Sequence, residues 1–205
     1  GKDLHHAAEA IPGVVKVFTC FDGPNVPFPP AGHPWSTAPH HQDVADRLLL
    51  NRHVRYYGDD VCVVVAENEV AAAQAARAIR VEYEELPFVL DVQEAMKPDA
   101  PQIQENFPGN ILGHTSVRKG DYEKAIQEPG LIKVEGWYDT PTVQHCHIEN
   151  HICYAQMEAG RVIVTSSTQI PHIVRRVVGQ ALNIPWGKVR VIKPYIGGGF
   201  GNKQD

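Results

Sequence analysis

From residue 170 to 184 the apolar side chains fall at positions 170, 173, 174, 177, 178, 181, 182 and 184, one face of an α-helix held for four turns. Pro171 suits the first turn of that helix, and Asn183-Ile184-Pro185 suits its end. Elsewhere the period drops to two. In "IPGVVKVFTC" (11–20) Val15, Val17 and Thr19 share one face and Val14, Lys16 and Phe18 the other, which predicts a core strand. Residues 57–87 read as a strand–helix–strand unit: a continuous apolar strand at 61–66, a helix of strong formers at 68–79, and an alternating strand in which Val81, Tyr83 and Glu85 share a side. The helix alanines read either as a face packed close against a sheet or as helix propensity alone. Further along, "DYEKAIQE" predicts a short helix with Asp121 near its start, and "LIKVEGWYD" (131–139) a strand. Segments 152–157 and 161–166 predict a hairpin around "EAG", and "KVRVIKPYI" (188–196) a last strand that delivers "GGGFGNKQD".

Two stretches interrupt this order. Pro24, Pro27, Pro29, Pro30, Pro34 and Pro39 fix φ and withhold donors, so the segment to about residue 45 is expected to run over the surface without long regular elements. Between Lys97 and Gly120 Pro, Asn and Gly recur and no period survives, which marks a domain boundary or linker.

Composition narrows the function. Nineteen Lys and Arg against 24 Asp and Glu leave a net charge of −5 with no like-charge run, so a nucleic-acid partner is not expected. No apolar run suggests a membrane helix, and "GKDLHHAAEA" does not read as a signal peptide. Four scattered cysteines without a C-x-x-C pair fit a reducing, cytoplasmic setting. The chain opens at Gly1, without a methionine, on a helix-like segment lacking the strand it would pack on, and this reads as a piece of a longer protein.

Two motifs carry candidate chemistry. The glycine loop fails the P-loop pattern, because Lys203 lies between Asn202 and Gln204, and it fails the dinucleotide pattern, because the third glycine position holds Asn202. What remains is either a loop whose main-chain N–H groups converge on an anion or polar ligand atom, or a tight turn needing positive φ. In "QHCHIENH" (144–151) His145, His147, Glu149 and His151 alternate and would project from one face of an extended strand. Zinc ligation by the three histidines stays open, although the spacing matches no zinc motif; the commoner outcome is a set of hydrogen-bonded histidines, with Glu149 orienting an imidazole or a nearby loop. No serine sits on a nucleophile elbow, so hydrolysis is not supported.

Taken together, "SSTQ" (166–169), the amphipathic helix, "NIPWGKVRVIKPYIGGGFGNKQ" and "QHCHIENH" resemble the molybdenum-cofactor subunit of the xanthine dehydrogenase and aldehyde oxidase family, in particular bacterial xanthine dehydrogenase-type subunits. Upstream, "IPGVVKVFT" and residues 54–87 resemble that family's α/β hammerhead domain. The resemblance implies an α+β chain: a hammerhead domain over 1–97, incomplete at its N-terminus, a linker over 98–120, and the first elements of a molybdenum-cofactor-binding domain over 121–205. It implies a molybdenum–pterin cofactor whose own sulfurs hold the metal, so the protein supplies no direct metal ligand. Gln169 would donate toward a metal-bound oxygen as an outer-sphere group, and the main chain at Gly199, Phe200 and Gly201 would line the cofactor. Gln204 stands on the substrate side where mammalian-type relatives carry Glu, which makes a purine substrate plausible rather than required.

The implied activity is hydroxylation of an N-heterocycle or an aldehyde with water as oxygen source, with electrons leaving through iron-sulfur clusters and FAD on other domains or subunits. The family's general-base glutamate is expected beyond Asp205, so no catalytic residue falls within this stretch, and the stretch alone is expected to be inert and to hold no cofactor. A binding or scaffold module that keeps the fold without the cofactor is the alternative.

Overall fold

A computed structural model describes residues 6–29 and 45–204. The predicted helix–sheet mixture is present as two small sheets, each backed by helix. Most of the proline-rich excursion, residues 30–44, lies outside the described residues.

The first sheet pairs β1 (Val14–Thr19) antiparallel with β2 (Cys62–Ala66). Its core is Ala8, Val17 and Ala75, all fully buried, with Ile11, Val14, Val64, Ala78 and Ile79 packed around them. Ala8 comes from α1 (His6–Glu9) and Ala75 from α2 (Glu69–Ala78). The α2 alanines therefore do form a packing face, since Ala71 and Ala75 are buried and only small side chains permit so close an approach. Burying Val17 stabilises this unit by about 1.5–3 kcal/mol.

The expected face of Val15, Val17 and Thr19 breaks at Val15. The register slips between Val14 and Lys16, which leaves Val15 64% exposed and turns Val14 toward the core with Val17. One extra residue in a strand reverses its alternation, so the bulge, invisible to a period-two reading, accounts for the change. At the N-terminus of α2 the Asn68 Oδ1 atom accepts the Ala71 N–H at 2.9 Å. The strand expected after α2 makes no ladder: Val81 and Tyr83 are exposed, and among the described residues no second strand pairs with them. The strand expected at 131–139 is likewise unpaired, with Ile132, Val134, Trp137 and Tyr138 exposed. Strand character needs a partner for its N–H and C=O groups, and periodicity does not reveal one.

The region between the two sheets is held by side chains rather than by ladders. Asp91 caps α3 (Val92–Ala95), accepting from the Gln93 and Glu94 N–H groups. Asn110 accepts the Ile103 N–H and donates to the Ala95 and Pro101 carbonyls, closing residues 95–110 into one loop. Arg55 donates to the Ile103 carbonyl at 3.0 Å, which ties that loop back to the first unit. The short helix predicted after it is α4 (Tyr122–Ala125), capped by Asp121 through the Lys124 N–H.

The second sheet has the order β3 (Cys153–Glu158), β4 (Arg161–Ser166), β5 (Val189–Ile192). The predicted hairpin is present, β3 and β4 running from Cys153↔Ser166 to Glu158↔Arg161 about a two-residue turn in which Ala159 and Gly160 both have positive φ, the type I′ geometry. β4 and β5 are parallel, and α5 (Pro171–Ala181) is the crossover between them. Pro171 occupies its first turn as expected. Its end is a Schellman motif: Asn183 at φ 52 donates to the Gln180 carbonyl and Ile184 donates to that of Gly179. β5 is shorter than the predicted 188–196, because Pro194 has no N–H to continue a ladder. The chain after Ile192 is thereby released as the loop described next. Among the described residues no helix is long and apolar enough to cross a membrane.

Replacing Asn68 by Ala removes the cap of α2, and we expect a loss of about 1 kcal/mol of local stability. Amide hydrogen exchange across residues 71–75 should accelerate by roughly fivefold on that basis, while exchange in α5 stays unchanged.

Candidate functional site

The site is built where the glycine loop folds back on two upstream segments, 144–151 and 167–169. The loop turns twice on itself: the Asn202 N–H donates to the Gly199 carbonyl at 2.8 Å and the Gln204 N–H to that of Gly201 at 3.3 Å. Phe200 sits at φ 51 and its side chain is 72% exposed, so its ring is not what fixes the loop.

Two contacts demand the absence of a side chain. A Cβ on Gly199 would lie 2.6 Å from Gln169 Oε1, and one on Gly197 would lie 2.6 Å from Glu149 Cβ. Close approach, one of the two readings open for the glycines, is therefore realised against Gln169 and Glu149.

Gln169 is held from both ends. Its N–H donates to the Lys203 carbonyl at 2.8 Å, and its Oε1 accepts the Gly201 N–H at 3.1 Å. The second bond fixes which amide atom is which and leaves the NH2 group as the outward donor. It also uses the Gly201 N–H, one of the main-chain positions expected to line a ligand. Thr168, buried beside Gln169, donates through Oγ1 to the same Lys203 carbonyl at 3.3 Å and accepts the Ile170 N–H at 3.0 Å.

Lys203 is the residue that sequence reasoning left without a role. Its side chain is fully buried, and Nζ donates to Glu149 Oε2 at 2.7 Å. The same oxygen accepts the Gly197 N–H at 2.8 Å, and the Glu149 N–H donates to the Gly197 carbonyl at 3.3 Å. Glu149 thus orients the loop, as one reading of the histidine segment expected. The Lys203 ammonium, followed by the Gly197 amide, holds the Glu149 carboxyl below its ordinary range. No local pattern announces this pair, because its members are 54 residues apart.

The alternation of "QHCHIENH" does not survive folding. Cys146 adopts φ 53, which breaks the extended path and removes the common face expected for the four side chains. His147 Nδ1 lies 2.6 Å from the Glu149 carbonyl and therefore carries the proton, while Nε2 accepts from Asn202 Nδ2 at 3.0 Å. His151 Nε2 donates to the Asn202 carbonyl at 2.8 Å, and the two rings meet edge to face with centroids 4.9 Å apart. Asn202 Nδ2 also reaches Gln144 Oε1 at 3.3 Å. His145 is exposed, and its main-chain N–H donates to the same Gln144 oxygen at 2.7 Å. With both nitrogens of His147 engaged, the three-histidine zinc site loses a ligand; among the described residues no group of three or more His, Cys, Asp or Glu is arranged to hold a metal ion. Gln204 is exposed beside the loop and donates its N–H to Gly201.

A neutral amide donor beside a glycine-rich turn suits a ligand with polar or anionic acceptor atoms. Comparison with known proteins identifies the family. The molybdopterin cofactor-binding domain matches residues 103–205, and the a/b hammerhead domain of aldehyde oxidase and xanthine dehydrogenase matches residues 4–87. The chain belongs to the aldehyde oxidase and xanthine dehydrogenase family of molybdopterin-binding proteins.

It is 48% identical over 199 residues to the xanthine dehydrogenase molybdenum-binding subunit of Escherichia coli O157:H7, a match covering 97% of this chain and 26% of that one. Among solved structures it is similar to the aldehyde oxidoreductase of Desulfovibrio desulfuricans, with a TM-score of 0.83, 28% identity and coverage of 97% and 22% of the two chains. Quinoline 2-oxidoreductase of Pseudomonas putida 86 gives a TM-score of 0.79 at 30% identity, with coverage of 98% and 25%. The chain thus spans about a quarter of the length of these relatives.

The depressed Glu149 carboxyl gives a signed pH dependence. A carboxylate whose folded pKa is lowered stabilises the fold above its unfolded value and loses that contribution as the pH falls through the folded one. Lys203 is the charged group that acts on it most strongly, and His147 adds to the effect only when protonated. We expect protection of the Gly197 amide against hydrogen exchange, corrected for the intrinsic rate, to be retained at neutral pH and to fall once the pH drops below the ordinary glutamate range. A Glu149→Gln variant that also carries Lys203→Met, which leaves no lone buried charge, should show no such step.

Proposed function

We propose that this chain supplies one wall of the molybdenum–pterin site of a hydroxylase that oxidises an N-heterocycle such as a purine, or an aldehyde, with water as the oxygen source. Electrons would then pass to iron-sulfur and flavin centres on partner domains or subunits. Because the chain spans about a quarter of its relatives' length, this activity is proposed for the complete protein with its partners. When bound, the cofactor supplies the two-electron redox chemistry at molybdenum.

The chain's own part is to bind and orient. Gln169 carries the proposal: with Oε1 tied to the Gly201 N–H, its NH2 group is a preorganised neutral donor. Such a donor stabilises anionic groups of the cofactor without adding a charge. The Gly199–Gly201 main chain, bare of side chains at both glycines, lets the cofactor come within hydrogen-bond range, and Phe200 offers its main chain rather than its ring.

The test uses the full-length protein purified with its partner subunits from a cofactor-replete host. Near-stoichiometric molybdenum together with oxidised-pterin fluorescence is the expected result; zinc, or no metal in a well-folded preparation, would sink the proposal in favour of a scaffold module. Given molybdenum, Gln169→Ala should keep the metal within about twofold and lower turnover on the order of a hundredfold. Turnover is assayed with xanthine, quinoline and benzaldehyde.

Gln204 is proposed to face the substrate. An amide both donates and accepts, whereas a carboxylate only accepts. Gln204→Glu should therefore raise kcat/KM for substrates presenting an N–H donor by about tenfold relative to those presenting only acceptors, the order of one hydrogen bond to a charged group. An unchanged ratio across a donor and acceptor series would remove Gln204 from the substrate side.

A further inference from the structure

The glycine loop begins and ends on one carboxylate oxygen. Glu149 Oε2 accepts the Gly197 N–H at 2.8 Å and the Lys203 ammonium at 2.7 Å, so the two ends of a seven-residue loop are pinned to a single atom. The Lys203 side chain has no exposed surface, and burying an ammonium is costly unless a compensating charge lies beside it. Its placement is therefore tightly constrained. The constraint passes directly to Gln169, because the Lys203 carbonyl accepts both the Gln169 N–H and the Thr168 hydroxyl. The opposite end of Gln169 is set by Gly201, which lies between the two pinned residues.

We infer that Glu149 and Lys203 are positioning residues, an ion pair of a buried ammonium and a partly exposed carboxylate that fixes the Gln169 amide and the Gly199–Gly201 main chain in the orientation the cofactor meets. Neither is assigned contact with the reacting atoms; they act through Gln169 and the loop. The inference rests on the proposed function for what the loop faces, but its geometric half concerns this chain alone. Single removal of either partner leaves a lone charge and can disturb folding, so the informative variants avoid that. Glu149→Gln combined with Lys203→Met replaces both charges by neutral groups of similar size, and Lys203→Arg keeps the charge while changing its shape.

Both variants are made in the full-length protein with its partner subunits and compared with the parent by three measurements: molybdenum and pterin content, amide exchange at Gly201, and the Mo(V) electron paramagnetic resonance signal after dithionite reduction. For the double variant we expect molybdenum within about twofold of the parent, Gly201 exchange faster by roughly tenfold or more, and an altered Mo(V) signal. A merely stabilising pair would lower yield yet leave the exchange at Gly201 and the Mo(V) signal per molybdenum unchanged, and that result overturns the inference. Should the double variant fail to assemble, Lys203→Arg decides: an assembled enzyme with an altered Mo(V) signal supports positioning, and a parental one overturns it. A parent protein devoid of molybdenum and pterin would refute the functional reading instead, and Gly201 exchange in the variants would still decide whether the pair holds the loop.

Discussion

A lysine ammonium with no exposed surface is an expensive object, and the site depends on how this one is compensated. Glu149 neutralises Lys203 at 2.7 Å, and the short contact leaves little freedom to the residues on either side. The free energy of the pair matters less than its geometry. Replacing both charges by apolar groups can leave a protein as stable as before, but a buried pair can favour one arrangement over its neighbours, which is the role we assign here. The arrangement selected brings Gly199 against Gln169 and Gly197 against Glu149 so closely that a Cβ on either glycine would lie 2.6 Å from its neighbour and force it to move.

Around that pair the work is divided between stiff and adaptable parts. The β4–α5–β5 unit anchors both arms of the site: Ser167, Thr168 and Gln169 leave the end of β4, and the glycine loop leaves the end of β5. Parallel strands place their C-terminal ends side by side, which is why two segments far apart in sequence open at the same edge. Segment 144–151 closes the third side. Asn202 accepts from His151 and donates to His147 and Gln144, so the histidines behave as donors and acceptors that shape the loop rather than as metal ligands.

Local structure was legible where a period or a turn signal in the sequence marks an element that also finds a partner in the fold. β1, α2, the β3–β4 hairpin and α5 all lie where periodicity placed them, and the Schellman end of α5 was signalled by Asn183 and Pro185. Non-local features were not. Residues 81–86 and 131–139 alternate like strands but find no ladder among the described residues, and the Val15 bulge reverses a face that counting by two had fixed. The histidine alternation failed for a similar reason, one residue, Cys146, leaving the extended region. For the site, the family motifs pointed to the glycine loop and to Gln169, which the structure brings together, whereas the Glu149–Lys203 pair spans 54 residues and has no periodic signature.

The same geometry bears on how selectivity arises. Much of the loop's proposed contact with a cofactor is through main-chain groups and the Gln169 amide, none of which depends on the identity of a neighbouring side chain. Structures at 28% and 30% identity, named for an aldehyde and for quinoline, share this fold with TM-scores of 0.83 and 0.79. A main-chain cradle can tolerate such divergence provided the glycines at close approach remain, because substitutions elsewhere leave N–H positions in place. On the proposed function, discrimination among substrates would then rest on side chains that project past the cradle. Gln204, exposed and carrying both a donor and an acceptor, is the residue proposed for that role, and its side chain takes no part in the bonds that fix Gln169.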